Sequence, residues 1–348
     1  MVAPVELSPH KARELQSLTG LRALAASAVF VNHIGPWLGG TPISSQWQSV
    51  TYVAICGVVA FFVLSGFLLA QPESQRGGRR SFWRRRAARI LPVYWLSLLV
   101  MVAITVYYDD RNPILRPVNL VANTLLVQSW GPSGTRASIN LPAWSLSVEL
   151  LFYACLPLLL SPLRVLIARA PRATLATFVA LAQLGALAVY EGWVPAGFPP
   201  AYLPVFLLGV HAAVQPASWH RIRPAAAALV ALVTVVVSLQ RDYFGVAAVG
   251  MTVLIASLAH ADRHGARTLL QGRLARRLGV WSYAFFLLHV PVGIVLLHFV
   301  PAPTSTVRGL ALAALQFLLS WLAAAVTFHV YEEPARRWLV RTRDRPAV

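Results

Sequence analysis

Residues 52–95 read YVAICGVVAFFVLSGFLLAQPESQRGGRRSFWRRRAARILPVYW. From Tyr52 to Ala70 there is no charged residue. That run matches the roughly 20 apolar residues a helix needs to cross the hydrocarbon layer. Seven arginines then crowd into residues 71–89, and a second apolar run opens at Ile90. Two apolar segments joined by a basic hinge describe a membrane hairpin. The hinge belongs on the cytoplasmic side, where Lys and Arg accumulate.

The pattern repeats on both sides of this hairpin. Ten candidate spans fall near 18–37, 50–70, 90–108, 142–160, 173–190, 200–215, 224–239, 244–260, 281–299 and 309–331. The stretch NLVANTLLVQSW (119–130) is short for a span and reads as a re-entrant or interfacial segment of the 109–141 loop. With the N-terminus inside, 24 of the 30 Lys and Arg lie on cytoplasmic segments. Only Arg111, Arg116, Arg136, Arg241 and Arg308 lie outside, and Arg22 sits within the first span. An odd number of spans would destroy this asymmetry, so both termini are expected in the cytoplasm.

Composition agrees. Of 348 residues, 57% are hydrophobic and 12% charged, against about 25% charged in a soluble domain. Mean hydropathy is +0.62. A soluble domain, a disordered chain, a collagen and a disulfide scaffold are all excluded. The net charge of +18 lies between apolar runs and reads as topology and lipid contact rather than nucleic-acid binding. Cys56 and Cys155 lie in apolar runs without a CxxC or Cys/His spacing, so no metal site is expected. The opening MVAPVELSPHKAREL has acids and no small-residue cleavage site, and is not read as a cleavable signal. The expectation is an all-α polytopic membrane protein of about ten transmembrane helices in a bacterial cytoplasmic membrane. It divides into a cytoplasmic N-terminal segment (1–17), a transmembrane domain (18–331) and a basic cytoplasmic tail (332–348).

Ionisable groups inside spans mark function or interhelical bonding. Arg22 and His33 lie eleven residues apart, which on a continuous helix places them on one face about 16 Å apart. Glu149 lies about two turns into the fourth span, at a depth similar to that of His33. A carboxylate beside an imidazole is a base-plus-orienter pair, or a proton relay in a transporter. Ser65-Gly66 forms a small-residue notch, read chiefly as helix packing. Ser65 has no base beside it in sequence for an acyl-enzyme. Arg84, Arg85, Arg86 and Arg89 surround the entry to the third span, with Tyr94 and Trp95 at the interface. Arg85 and Arg89 share a helix face, and guanidinium forks suit phosphate. His289 lies mid-span, followed by Pro291. Glu332 and Glu333 close the last span, where they can pair with the basic loops.

Six segments in order, LTGLRALAASAVFVNH, FFVLSGFLL, RRRAARILPVYW, AWSLSVELLFY, WSYAFFLLH and YEEPARR, extend from residue 18 to about 337. In these the chain resembles the membrane acyltransferase type 3 family, which acylates sugars, polysaccharides and natural products. The resemblance implies an acyl-CoA donor (acetyl-CoA or another short acyl-CoA) arriving from the cytosol as co-substrate, with no permanently bound cofactor. The acceptor is a hydroxyl-bearing small molecule or glycan. His33 matches the family's essential histidine and Arg22 its paired arginine. Glu149 matches the acidic position of the fourth-span motif, and Arg85, Arg86 and Arg89 match the basic motif.

In the resulting expectation, His33, Glu149 and Arg22 are catalytic. Arg85, Arg86, Arg89, Ser65 and Tyr94 hold acyl-CoA, and Trp144, Ser147, Tyr153 and His289 contact the acceptor. Direct O-acetylation or longer-chain acylation of a glycosylated natural product such as a macrolide is favoured, partly because no esterase-like domain is attached. Acylation of an envelope polysaccharide or glycolipid is the alternative. A proton-coupled carrier is the rival from another class.

Overall fold

The computed structural model describes residues 15–39, 41, 52–108, 113–132, 138–215, 222–238, 244–301 and 303–341. Most of the expected terminal segments, and Lys11, Arg13, Arg111, Arg136, Arg221, Arg241, Arg343 and Arg345, lie outside the described residues. The described residues are helical throughout, with no strand among them. The principal helices are α1 (Gln16–Asn32), α2 (Tyr52–Leu69), α3 (Gly78–Tyr108), α4 (Trp144–Arg169), α5 (Pro171–Tyr190) and α6 (Pro199–Val214). They continue with α7 (Pro224–Ser238), α8 (Phe244–Arg263), α9 (Arg273–Phe299) and α10 (Thr306–Thr327). A π turn at Phe328–Glu332 leads into α11 (Glu333–Arg341).

A helix stands at each of the ten expected segments. Six are long and apolar enough to cross a membrane, and α6, α7 and the apolar part of α2 (Ile55–Leu69) are shorter apolar helices. This is the helical bundle of an integral membrane protein. Several helices outrun their apolar segments. α3 starts at Gly78 rather than near 90, and α4 runs on to Arg169. Arginine is a good helix former, so backbone hydrogen bonding continues past the apolar limit. The segment expected to end near 331 likewise continues through the π turn to Arg341. Glu333 there binds Arg336 and Arg337 of its own helix at 2.8 and 2.7 Å, rather than the basic loops.

Small residues let the central helices touch. α1 packs on both α2 and α9, and α2 packs on α6. A Cβ at Gly66 would strike the Phe206 carbonyl, and one at Gly209 the Val63 carbonyl. The α2–α6 contact is therefore backbone against backbone in both directions. The sequence reading of Gly66 as a packing notch holds.

Prolines inside helices free carbonyls that apolar surroundings would leave unpaired. Pro157 removes the partner of the Tyr153 carbonyl, which accepts from Trp83 Nε1 at 2.9 Å. Pro291 does the same for the Leu287 carbonyl, which accepts from Asn140 Nδ2 at 2.8 Å. The start of α1 is capped by another helix: the Ser17 amide donates to Asp262 Oδ2 at 2.9 Å and its hydroxyl to Oδ1 at 2.6 Å. Residues 119–130 form a short helix, Pro117–Thr124, and a 3₁₀ turn, too short to cross, as expected. This segment docks on α3 where the Tyr94 hydroxyl donates to the Asn123 carbonyl at 2.5 Å.

Candidate functional site

A continuous cavity opens at the end of the bundle that carries the arginine-rich start of α3. Its wide mouth, about 840 Å³, is walled by Arg85, Arg86 and Arg89 of α3, Arg22 of α1, Arg263 of α8 and Arg276 of α9. It narrows into a chamber of about 150 Å³ that shares Arg22, Arg86 and Arg89 with the mouth and adds Ser65, Glu149 and Tyr153. Phe61, Phe62 and Phe286 also line the chamber. A side pocket of about 340 Å³ lies between α3 and α4, lined by apolar residues such as Trp83, Leu126 and Leu150. It shares Arg86, Ile90, Leu146 and Tyr153 with the chamber.

The guanidinium groups divide into two kinds. Arg85 donates to the carbonyls of Ser74 and Arg76 at 2.9 and 2.8 Å and to the Ser81 hydroxyl. Its donors are spent on folding the α2–α3 loop. Arg22, Arg86 and Arg89 make no hydrogen bond or ion pair with any described residue, although all three line the cavity. Arginine carries its charge in any protein environment. Three such charges around a low-dielectric space create a strong field for an anion.

Glu149 is the carboxylate among the chamber's lining residues. It accepts from the Ser65 hydroxyl at 3.1 Å and from the Tyr153 hydroxyl at 2.8 Å. The base that the sequence did not offer Ser65 is thus supplied by α4. The expected pairing of Glu149 with His33 is not formed. His33 Nδ1 lies 3.1 Å from the Val29 carbonyl and 3.0 Å from His289 Nε2. Depth along two spans fixes height and not azimuth, so a similar expected depth does not by itself imply contact. The Arg22 and His33 side chains do not line a common space. α1 ends at Asn32, and His33 stands at the C-cap with non-helical backbone angles (φ −100°, ψ 6°). Arg22 lines the cavity and His33 does not. Phe286, which lines the chamber, lies 5.9 Å centroid to centroid from Phe61 and 6.4 Å from His289, the partner of His33.

The remaining expected residues are scattered. Tyr153 lines both chamber and side pocket. Tyr94 is fully buried in its bond to the short helix, and lines none of these spaces. Trp144 packs on Phe62 and Tyr202 beyond the chamber. Ser147 is fully buried, with no hydrogen-bond partner for its hydroxyl among the described residues. Sequence reasoning passed over Arg263, Arg276, Phe286 and Gln316. Only Gln316 left a signal, as a polar residue in the middle of the tenth apolar run.

A sequence profile described as an acyltransferase domain matches residues 15–326. The chain belongs to the membrane acyltransferase type 3 family. Among the family's characterised members, it is 32% identical to acyltransferase MdmB of Streptomyces mycarofaciens, over 96% of this chain and 95% of that protein. Nodulation protein 10 of Rhizobium leguminosarum is 27% identical over 61% of this chain and 62% of its own. O-acetyltransferase OatA of Staphylococcus aureus is 26% identical over 44% of this chain and only 26% of its own length. No solved structure matches. The profile match covers every cavity-lining helix named above, so the basic mouth and its chamber belong to the acyltransferase domain itself.

Proposed function

We propose that this membrane acyltransferase moves an acyl group from acyl-CoA to a hydroxyl of a sugar-bearing acceptor. One observation carries the reading: the unpartnered guanidinium groups of Arg22, Arg86 and Arg89 face a cavity that narrows from a wide mouth to a slender chamber. Phosphate oxygens satisfy guanidinium donors in fork geometry. A donor with a polyphosphorylated nucleotide at one end and a thin arm at the other fits a charged mouth above a narrow chamber. In this reading the basic mouth faces the cytoplasm, the orientation that the charge asymmetry favours.

His33 is the general base. It is half-buried at the C-terminal end of α1, bonded to His289, whose ring packs on the chamber-lining Phe286. The acceptor hydroxyl gives its proton to His33, and its oxygen attacks the thioester carbonyl carbon. The carbon–sulfur bond breaks, and the CoA thiolate takes up the proton. Such general-base assistance is commonly worth about 10²–10⁴-fold. Glu149, held by Ser65 and Tyr153, balances the arginines of the chamber instead of orienting His33. Phe61 and Phe286 form the partition that the acyl carbon must pass to meet the base.

The favoured acceptor is a small glycosylated natural product such as a macrolide, with an envelope polysaccharide or glycolipid as the alternative. The end-to-end match with acyltransferase MdmB supports acyl transfer as the reaction, whichever of these is the acceptor. The test uses purified protein in detergent with acyl-CoA and a panel of hydroxyl acceptors, read by mass spectrometry. Ester formed without a gradient is the expected result. Absence of any ester, with transport in vesicles, would establish a carrier.

A further inference from the structure

We infer that His289 is the positioning residue that fixes the tautomer of His33 and leaves Nε2 of His33 as the basic nitrogen. This rests on the reading of His33 as general base, and extends it to a residue on another helix.

Two carbonyls, which can only accept, fix the ring hydrogens. α1 ends at Asn32, and the amide of the C-cap His33 turns back to the Phe30 carbonyl at 2.8 Å. The Val29 carbonyl thereby loses its usual helical partner, as carbonyls of a last turn do. His33 Nδ1 stands 3.1 Å from it. A lone pair aimed at a carbonyl oxygen is repulsive, so Nδ1 carries the hydrogen. On α9 the same logic applies: His289 Nδ1 lies 3.2 Å from the Phe285 carbonyl and is also protonated. A neutral imidazole has one hydrogen, so His289 Nε2 bears a lone pair. That lone pair lies 3.0 Å from His33 Nδ1 and accepts the same hydrogen that faces Val29. The opposite assignment would set two lone pairs against two carbonyls.

The consequence is directional. With Nδ1–H of His33 shared between Val29 and His289, Nε2 of His33 is the nitrogen left to take a proton. When it does, the charge spreads to Nδ1–H, whose bond to His289 strengthens. His289 can supply this only if it is held still, and the surroundings hold it. It is fully buried, with ring centroids of Phe30 and Phe285 at 6.0 and 5.7 Å. Its carbonyl accepts from Gln316 Nε2 at 2.9 Å, and Gln316 Oε1 accepts from Trp37 Nε1 at 2.5 Å. Two residues before it, the Leu287 carbonyl freed by Pro291 is held by Asn140.

The experiment compares His289→Leu, which removes the acceptor, with His289→Gln, whose side-chain oxygen can replace Nε2. The inference expects kcat to fall roughly 10²-fold in His289→Leu, with both KM values within about twofold, and to recover in His289→Gln. Full activity in His289→Leu, or equal loss in both variants with acyl-CoA binding intact, would overturn it. Should His289→Leu not fold, ¹⁵N-histidine NMR of the wild-type protein decides, with the His33 signals assigned by their absence in His33→Ala. His33 protonated at Nδ1 is expected, and protonation at Nε2 overturns the inference. An active His33→Ala would sink the general-base reading. A dead His33→Ala beside a fully active His289→Leu would sink this inference alone.

Discussion

Ser65 on α2 donates its hydroxyl hydrogen to Glu149 on α4 across 3.1 Å, inside the chamber that the arginines line. This contact separates two chemical routes. In direct transfer Ser65 only helps to hold the carboxylate, whereas in a covalent route Glu149 would activate it as nucleophile.

Ser65→Ala is expected to retain at least about a tenth of wild-type kcat, because the proposed base, His33, is untouched. Intact-mass measurement of wild-type protein after incubation with acyl-CoA alone should show no added acyl group. A stable adduct on Ser65, lost in Ser65→Ala together with turnover, would replace direct transfer by the covalent route.

Arg86→Ala and Arg89→Ala should each raise the KM for acyl-CoA roughly tenfold, about 1.4 kcal/mol per lost contact. KM for acyl-pantetheine, which lacks the nucleotide phosphates, should change far less. Arg85→Ala should instead lower thermal stability, since its donors fold the α2–α3 loop onto Ser74 and Arg76. Equal KM effects on both donors would show that Arg86 and Arg89 do not read phosphate.

Phe286 lines the chamber and packs on both His289 and Phe61, and is the proposed partition between donor and base. Phe286→Trp should lower kcat without raising the donor KM, because the larger ring narrows the passage. Phe286→Leu should release CoA in the absence of acceptor, as water gains access to the thioester. Both variants are read by thiol release with and without acceptor, and wild-type behaviour in both would remove Phe286 from the path.

Gly66→Ala should destabilise the protein by about 1–3 kcal/mol, the usual range for overpacking. A Cβ there meets the Phe206 backbone, which cannot step aside as a side chain can. A thermal unfolding scan of detergent-solubilised protein measures the loss, and an unchanged midpoint would show that α2 and α6 separate freely.

The ten helical segments were legible from the alternation of apolar runs with arginine clusters, because hydrocarbon admits only segments that satisfy their own backbone. Helix ends were less legible. Hydropathy marks where apolar side chains stop, while α3 and α4 continue on the hydrogen bonding of good helix formers. The arginines at the start of α3 were legible as a cluster, since a dense run of one charge type is a local property. Their division was not: Arg85 and Arg86 are neighbours in sequence and both line the mouth, yet Arg85 is bonded into a loop while Arg86 has no such partner and reaches the chamber.

What the sequence by itself determined is the helical, membrane-embedded class and the identity of the intramembrane groups Arg22, His33, Glu149 and His289. Partnership was decided only in three dimensions. His33 bonds to a residue 256 positions away, and Glu149 to a serine 84 positions away. The physical reason is that heptad-scale periodicity sets the face of one helix, whereas the facing of two helices depends on how their small residues let backbones meet. Gly66 against Phe206 and Gly279 against the Thr19 carbonyl are such contacts. They rotate the spans into the register that joins imidazole to imidazole and leaves the carboxylate with the arginines.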